Sequence, residues 1–360
     1  MTSPSAWWGR VRRRWARLAP RDRAAYAAPS TRPVVLFVQD FGVGRRLLAL
    51  LGRLRAWPVH VVYNTSWHVD ATVVLPEHLA RIATLARAHP SLRVTAMAQT
   101  EAERALFVTR GVDAVHCNQG ALVDERVFRP LADVERVHDA IYDARLDRFK
   151  RHRLAASVER LALVTYRNDD TDRRYEARIA REFAHATWCN GPPAARRVLG
   201  AEEVNRAYAA CRVGLCLSAR EGAMWASAQY LLAGLPVVST PSEGGRDELF
   251  DPAHVEIVAP EPAAVADAVR ALVARDLDPA EIRRRTLEKI APHRARLFDR
   301  VQATFADAGE ARSFAKAWPV VFRHRMFDPT LAGRAQRAAM DRHDASILAA
   351  VAAGAPWPEP

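Results

Sequence analysis

The sequence predicts an α/β protein built from two open parallel sheets that carry helices on both faces. Short runs rich in Val, Leu and Ile alternate with helix-length segments between residue 33 and about residue 275, a pattern typical of repeated βα units. The alternation is interrupted once, by a loop-like stretch around 118–140, which divides it into two series. Beyond about residue 290 the strand-like runs stop and only helical segments remain.

Each series of elements is predicted from apolar runs and their flanking turn residues. The first has strands at 34–38, 59–63, 92–97 and 114–117, with helices at 45–56, 76–89 and from about 100. The second has strands at 161–166, 186–188, 213–217, 236–239 and 255–258, with helices near 150–160, 173–184, 202–210, 223–233 and 262–274. We therefore predict a first Rossmann-like domain at 33–130, a second at 131–292 and a helical segment at 293–360.

Composition places the chain among soluble, cytoplasmic proteins. It has 360 residues, of which 49% are hydrophobic and 26% charged. No run approaches the roughly 18 apolar residues that span a bilayer, and arginines interrupt every apolar run near the N-terminus, unlike a signal peptide. The four cysteines form no CxxC pair, so we expect buried, reduced thiols and no metal site.

The segment 1–32 is basic and amphipathic. Trp7, Trp8, Trp15 and Leu18 recur at helical spacing, with arginines between them. Such a helix can lie in a membrane interface, so we expect residues 1–24 to contact an anionic membrane surface, which would make the protein peripheral on the inner face. A frayed tail, or a helix docked on the protein itself, is the alternative. The net charge of +12 also suits nucleic acid, but no nucleic-acid motif is present, and we expect no such partner.

Residues 218–240 carry the most informative pattern, a strand followed by a polar turn, a helix and another strand. With a helix that begins at or just after Glu221, its first amides form an anion site. These amides belong to Gly222, Ala223 and Met224. Glu221 suits a sugar hydroxyl, and Gln229 would lie about 12 Å further along the same helix face. Alternatively, Glu221 is an ordinary acid at a helix N-terminus and Gln229 lies on a solvated face.

This segment resembles the signature of retaining GT-B glycosyltransferases, the glycosyl transferases group 1 or family 4 type. The family has Glu-Gly, a second Glu eight residues after the first, and then Ala-x-Gly-x-Pro-Val-Val. Here the matching residues are Glu221-Gly222, Gln229, and Ala233-Gly234-Leu235-Pro236-Val237-Val238. The resemblance implies that Glu221 faces the transferred sugar and that Gln229 takes the place of the glutamate that grips the ribose. Gln229 keeps the hydrogen bonding of that glutamate but lacks its charge.

Arg145 and Lys150 match the Arg and Lys that clasp the donor diphosphate in this family, with the same spacing of five residues. Fixed cations can stabilise the charge of a diphosphate leaving group in place of a metal ion. The alternative is a solvated basic helix start. Weaker likenesses are the segments Gly244-Gly245-Arg246-Asp247-Glu248, Trp188-Cys189-Asn190-Gly191 and Asn118 to Pro130.

The N-terminal half offers two further candidates. Gly42 and Gly44 follow the first strand and open a helix, as expected of a loop near a donor phosphate, although Gly-x-Gly alone is a weak motif. His68 is a candidate acceptor-site residue, and its alternative is a loop histidine without a special role.

The resemblance implies a GT-B enzyme that moves a hexose from a nucleotide-diphosphate sugar, UDP- or GDP-linked, with retention of configuration. It implies no metal and no cofactor, and a glycan, lipid or small molecule as acceptor against residues 33–118. The alternative is a non-catalytic GT-B module that binds a nucleotide or a glycan. Gln229 and the short first domain motivate that alternative.

Overall fold

The computed structural model describes residues 26–167, 171–321 and 333–356. The predicted amphipathic helix at 1–24 lies outside these ranges, so its contact with a membrane stays a prediction. The described chain forms a five-stranded and a six-stranded sheet, which confirms the predicted α/β class. No helix in the described ranges is long and apolar enough to cross a membrane.

The first sheet and its helices come from residues 26–116. The strands are β1 (Tyr26–Thr31), β2 (Val34–Gln39), β3 (Val59–Asn64), β4 (Leu92–Ala98) and β5 (Ala114–His116), and the helices are α1 (Arg45–Arg53), α2 (Val74–Ala88) and α3 (Glu101–Val108). Strands β2 to β5 are parallel and lie in sequence order. Right-handed crossovers that all step in one direction place α1 to α3 on one face of the sheet.

The second sheet is built by residues 138–257 and is followed by long helices. Its strands are β6 (His138–Arg145), β7 (Leu161–Tyr166), β8 (Thr187–Trp188), β9 (Cys211–Cys216), β10 (Val237–Ser239) and β11 (Val255–Ile257). The helices are α4 (Arg173–Glu182), α5 (Ala201–Ala209), α6 (Trp225–Leu232), α7 (Pro262–Arg275), α8 (Pro279–Asp307), α9 (Phe314–Val321) and α10 (Gly333–Ala352).

The strand order of the second sheet reverses at β6. The order is β11-β10-β9-β6-β7-β8 and every pair is parallel. The chain therefore winds one way from β6 to β8, returns to the other side of β6, and continues through β9 to β11. Such a reversal opens a crevice at the carboxyl ends of the two central strands, and open α/β sheets bind ligands there. Here the crevice lies where β6 and β9 end.

The C-terminal helices return to the first domain and cover its open sheet face. The ring of Phe37 on β2 lies 6.4 Å from that of Phe314 and 6.0 Å from that of Trp318, both on α9. Helix α10 holds the sheet edge, because Tyr26 donates to Asp344 at 2.6 Å and buried Ile347 joins the first-domain core. Helix α8 runs without a break across the predicted boundary at 292/293.

Two local predictions were wrong on either side of this core. Residues 26–31, assigned to the basic N-terminal segment, form the edge strand β1, antiparallel to β2. The helix predicted near 150–160 is replaced by two short 3-10 turns, Arg148–Lys150 and His152–Ala155. Arg151 between them takes a left-handed conformation with φ 52°, which a continuous helix does not tolerate.

The segment that joins the domains is loop-like, as predicted, but its first part is buried. Residues 117–123 are all buried, and the long helix α8 packs against them. Arg283 donates to the carbonyl of Phe128 at 2.6 Å, and Arg294 donates to that of Ala121 at 2.6 Å while it pairs with Glu125. In the described part of the chain, the carbonyl oxygens at these positions have no strand or helix partner, and the arginines of α8 donate hydrogen bonds to them instead. Helix α8 therefore fixes the connection between the two sheets.

The four cysteines are free thiols. Cys117, Cys211 and Cys216 are buried, and Cys189 is partly exposed. Burial raises the pKa of Cys117 and of Cys216 to about 12. Thiols of this kind are unreactive packing residues, in agreement with their predicted role.

Candidate active site

Lys150 and Glu221 meet at the crevice between β6 and β9. The Lys150 Nζ forms an ion pair with Glu221 Oε1, and each side chain is only 7% exposed. Lys150 ends the first 3-10 turn after β6, and that turn is fixed because Tyr142 on β6 donates to the Lys150 carbonyl. The predicted pair of functional residues, 71 positions apart in sequence, is thus brought into direct contact.

Glu221 reaches this position from a short extended segment after β9. Arg220 and Glu243 form a parallel bridge, and the Glu221 amide donates to the Glu243 carbonyl at 3.0 Å. Glu243 in turn donates to the carbonyl of Ala219 at 2.9 Å. This pairing holds the backbone of residues 219–221 in an extended conformation, so the helix does not begin there.

The predicted helix start at Glu221 is therefore wrong. Helix α6 begins at Trp225, with Met224 as its N-cap residue. The amides of Gly222, Ala223 and Met224 belong to a loop rather than to a first helical turn, and the separation of Glu221 from Gln229 along a helix does not apply. Their binding to a diphosphate stays a prediction that depends on the loop and not on a helix dipole.

Arg145 lies beside the pair, as the last residue of β6. Its guanidinium carbon lies 5.2 Å from the centre of the Phe149 ring, and the Lys150 Nζ lies 5.0 Å from the same ring. A ring face attracts both cations and so lowers the cost of placing them together. Arg145 also lies 3.5 Å from Asp147, and its buried Nε has no hydrogen-bond partner. An unsatisfied buried donor next to a lysine suits an anionic ligand.

Gln229 lies on α6 and is buried, with 8% exposure, so it does not face solvent. Its side-chain oxygen is 3.0 Å from the hydroxyl of Tyr208, and this hydroxyl donates to Asp143 at 2.6 Å. Burial raises the pKa of Asp143 to about 6, although the Tyr208 hydroxyl and the charge of Lys150 lower it. The sequence interpretation missed Asp143 and Tyr208. A period-two reading of β6 would have placed Asp143 on the same sheet face as Arg145.

The first domain closes directly over this site through the loop after β3. The Trp67 ring packs edge-on against Phe149, with ring centres 5.2 Å apart. Gly222 is so close to this loop that a Cβ placed on it would lie 2.7 Å from the Ser66 carbonyl oxygen. Gln119 of the connecting segment also donates to the Ala223 carbonyl at 2.6 Å. The two domains thus meet across Glu221, and Gly222 permits their approach.

We expect Gly222→Ala to hold the domains apart. The added methyl would lie under 3 Å from main-chain atoms of Ser66 and Trp67, which cannot move away as a flexible side chain can. The variant should fold, show a larger radius of gyration in small-angle X-ray scattering, and bind a donor nucleotide at least about tenfold more weakly, because closure supplies part of the binding contacts.

Gly52→Ala is the matched control, since nothing lies within 4 Å of a Cβ at that position of α1. It should leave the radius and the nucleotide affinity unchanged. An unaltered radius and affinity in Gly222→Ala would show that this contact does not govern closure.

His68 lies at the same interface. Its Nδ1 is 3.1 Å from Glu103, a buried carboxylate that also accepts from the amides of Val69 and Gln99. Because the carboxylate accepts hydrogen bonds, it favours the proton on Nδ1, which leaves Nε2 as an acceptor. A Cβ placed on Gly244 would contact the carbonyl oxygen of Glu221 and would lie 3.0 Å from the His68 Cβ. Gly244 therefore lies between His68 and Glu221. His68 is thus next to the site, and its acceptor role stays a prediction.

Gly42 and Gly44 lie in the turn between β2 and α1, where Gly44 is the N-cap residue. Asp40 in this turn accepts from Ser66 at 2.5 Å, which ties the turn to the loop that covers Gly222. The turn therefore lies in a second layer behind that loop, and donor contact by its glycines stays a prediction.

His116, Glu248 and His293 gather where the domains join, with potential metal-binding atoms within 4.8 Å of one another. Their present contacts explain them without a metal. His116 pairs with Glu248 at 3.0 Å, and His293 accepts at Nδ1 from Arg296 at 2.9 Å. A guanidinium bonded to one of the three would repel a cation, so we assign no metal to this cluster.

Comparisons with known proteins show which family and fold the chain is similar to. The model of the family described as glycosyl transferases group 1 matches residues 154–275, which include Glu221 and Gln229. Among solved structures, Anabaena HepE in complex with UDP is similar with a TM-score of 0.52 and 15% identity over 75% of this chain and 78% of that one. TarM is similar with a TM-score of 0.50 and 13% identity over 71% of this chain and 56% of that one. A search of curated protein sequences gave no match.

The family match and the fold point to the same assignment. The matched segment contains the strands, the loop and the helix that hold Glu221. The structural likeness extends to the first domain, which the family model does not reach. The chain therefore has the GT-B fold, and its residues 154–275 match the model of the glycosyl transferases group 1 family.

Proposed function

We propose that the protein transfers a sugar from a nucleotide-diphosphate sugar to an acceptor hydroxyl, with retention of configuration and without a metal ion. The observation that carries the proposal is the convergence of Arg145, Lys150 and Glu221 at the crevice where the second sheet reverses. Two cations and a carboxylate suit the two unlike parts of such a donor, its diphosphate and its sugar hydroxyls.

Donor binding would exchange the partner of Lys150. Lys150 and Glu221 neutralise each other in a nearly buried position. A diphosphate offers Lys150 and Arg145 a more highly charged partner, and the freed carboxylate of Glu221 would accept hydrogen bonds from the sugar.

The reaction then needs stabilisation of the leaving group. The bond between the anomeric carbon and the diphosphate oxygen breaks, and its electron pair leaves with the nucleoside diphosphate. Fixed positive charges stabilise that developing charge, and we assign this role to Arg145 and Lys150. The acceptor hydroxyl approaches from the first domain, where Trp67 and His68 border the site. Its oxygen bonds to the anomeric carbon, and its proton passes to the departing diphosphate. Closure over Gly222 would keep water out and limit hydrolysis of the donor.

The proposed class of donor nucleotide rests on similarity to known proteins and not on contacts in the structure. HepE is solved with UDP, and the family of residues 154–275 is a glycosyltransferase family. We therefore propose UDP or GDP as the nucleotide and a glycan, lipid or small molecule as acceptor.

A thermal-shift screen with UDP, GDP, ADP and their sugar derivatives tests the proposal. A ligand at 100 times its dissociation constant stabilises the native state by about 2.7 kcal/mol, which for a chain of this size is a shift on the order of 5 °C. We expect one nucleoside diphosphate to give such a shift and Arg145→Ala to remove it, since the guanidinium is a diphosphate contact.

Arg148→Ala is the matched control, because Arg148 lies three residues after Arg145 but is half exposed and pairs with Asp172. A shift that survives in Arg145→Ala would remove Arg145 from the site. A shift with nucleotides, but neither transfer nor hydrolysis of any sugar nucleotide, would support the non-catalytic module instead. No shift with any nucleotide would contradict the proposal.

A further inference from the structure

Asp143 is an acidic side chain next to the two candidate phosphate-binding cations. It lies two positions before Arg145 on β6, so both side chains leave the same face of the sheet. Asp143 is partly exposed, whereas its neighbours Tyr142 and Ala144 are fully buried. An anion in this place repels a diphosphate, so a ligand in the crevice must offer it hydrogen-bond donors instead.

Asp143 is joined to Gln229 through Tyr208. The Tyr208 hydroxyl is 2.6 Å from Asp143 Oδ2 and 3.0 Å from the Gln229 side chain. A hydroxyl carries one proton, and an ionised carboxylate can only accept. The proton of Tyr208 is therefore donated to Asp143, and the amide of Gln229 fits the Tyr208 oxygen best when its NH₂ group points there.

This chain of hydrogen bonds explains why position 229 carries an amide. A carboxylate at 229 would compete with Asp143 for the single proton of Tyr208, and two buried anions would share one partner. The Gln229 side-chain oxygen lies 3.0 Å from the hydroxyl, and turning the amide over would place its NH₂ group there, so that donors run from the amide to the hydroxyl to Asp143; a carboxylate at 229 cannot do this. The site then keeps one carboxylate, on β6 instead of on α6.

We propose that Asp143 binds the ribose hydroxyls of the donor nucleotide and so supplies the carboxylate that position 229 lacks. The proposal rests on the proposed function, since it requires a nucleotide in the crevice. Ribose is attached directly to the diphosphate and carries two neighbouring hydroxyls. Ribose therefore lies close to the cations and also offers a carboxylate the hydroxyl groups that can donate hydrogen bonds to it.

Position supports this assignment over the transferred sugar. Residues two apart on a strand are about 7 Å from each other, so Asp143 lies next to the cation site but deeper in the crevice than Arg145. Glu221 comes from the loop after β9 and pairs with Lys150, whereas Asp143 lies on β6 and bonds to Tyr208. The site therefore has two carboxylates with different partners, one for each sugar of the donor.

The test compares UDP, GDP and ADP with their 2′,3′-dideoxy forms by calorimetric titration of the full chain. We expect the wild-type protein to bind one ribonucleotide about tenfold or more tightly than its dideoxy form, the amount that charge-assisted hydrogen bonds contribute. Asp143→Asn should bind both forms equally, at the level of the wild-type protein with the dideoxy form. Asp139→Asn, on the same strand but paired with exposed Arg160, should keep the wild-type preference.

The charge-swapped double variant gives a second, independent readout. Gln229→Glu alone should weaken ribonucleotide binding, because two carboxylates then compete for the Tyr208 proton. Asp143→Asn combined with Gln229→Glu restores one carboxylate and one amide in exchanged places, and should recover the preference for the ribonucleotide. A purely structural role of Asp143 would not move the ratio of the two affinities.

The outcomes separate this inference from the proposed function. If the wild-type protein binds a ribonucleotide and Asp143→Asn keeps the preference for it over the dideoxy form, the assignment of Asp143 is overturned while the donor site stands. If the wild-type protein shows no preference, the assignment is overturned as well. If none of the six nucleotides binds, the proposed function fails and this inference fails with it.

Discussion

Replacement of Lys150 by methionine should both destabilise the protein and remove donor turnover. The Lys150 side chain is 7% exposed and forms an ion pair with the equally buried Glu221. Removal of one member of a buried ion pair costs about 3–5 kcal/mol, because the other charge stays buried without a partner. Loss of a fixed charge that stabilises a transition state lowers turnover by about 10²–10³-fold.

The double variant Lys150→Met with Glu221→Gln separates the two effects. Replacement of both charges leaves no unpaired ion, and such replacements are often neutral for stability. The double variant should therefore melt near the wild-type temperature and still lack turnover of the sugar nucleotide. Lys316→Met, at an exposed position of α9, should change neither property.

Thermal denaturation and the rate of nucleoside diphosphate release from a sugar nucleotide are the two measurements. Turnover within about tenfold of wild type in Lys150→Met would show that Lys150 does not stabilise the leaving group. If the double variant is as unstable as Lys150→Met, the loss of the ion pair itself causes the instability. The buried unpaired charge of Glu221 would then not be the cause.

Arg145, Lys150 and Glu221 were singled out by their match to a family motif, and the structure brings them together although the predicted local structure was wrong. Parallel strands present their carboxyl ends at one edge, so residues just after two neighbouring strands must lie close together. Lys150 follows β6 and Glu221 follows β9, and they meet whether the intervening residues are helical or extended. Their contact depends on sheet topology and hardly on the turns.

The features that the sequence did not reveal depend on tertiary pairing. Strand β6 has His, two Asp and Arg among its eight residues, and it was not predicted as a strand. Asp139 pairs with Arg160 and Asp143 with Tyr208, so these polar groups are tolerated in a central strand. Likewise the bridge of Arg220 to Glu243, which delays the start of α6, joins residues 23 positions apart.

Arg246 should be the residue whose replacement most reduces stability without removing a group that touches the donor. Its side chain is fully buried and forms hydrogen bonds that tie together the ends of two central strands. They reach the carbonyls of Cys216 at 3.1 Å, Ser218 at 2.6 Å and Thr240 at 2.5 Å, the hydroxyl of Ser239 at 2.7 Å and the carboxylate of Asp247 at 2.6 Å.

Arg246→Met would leave three carbonyls and one carboxylate without this partner. Each buried polar group left unsatisfied costs about 1–3 kcal/mol, and partial relaxation should bring the total to about 3–5 kcal/mol, a fall in melting temperature on the order of 10 °C. Arg246→Lys keeps the charge but not the planar fork, so it should recover only part of the loss. Arg284→Met, which breaks exposed ion pairs on α8, should cost less than about 1 kcal/mol.

The position of these carbonyls links the stability of the fold to the site. Ser218 lies three residues before Glu221, and Thr240 lies three residues before Glu243, whose carbonyl accepts from the Glu221 amide. Loss of the Arg246 fork should therefore misplace Glu221 as well as loosen the strands. We expect Arg246→Lys, assayed well below its melting temperature, to show turnover reduced by about tenfold or more, since small displacements of catalytic groups are costly. Full turnover in a clearly destabilised Arg246→Lys would show that the bridge between residues 220 and 243 is enough to position Glu221 by itself.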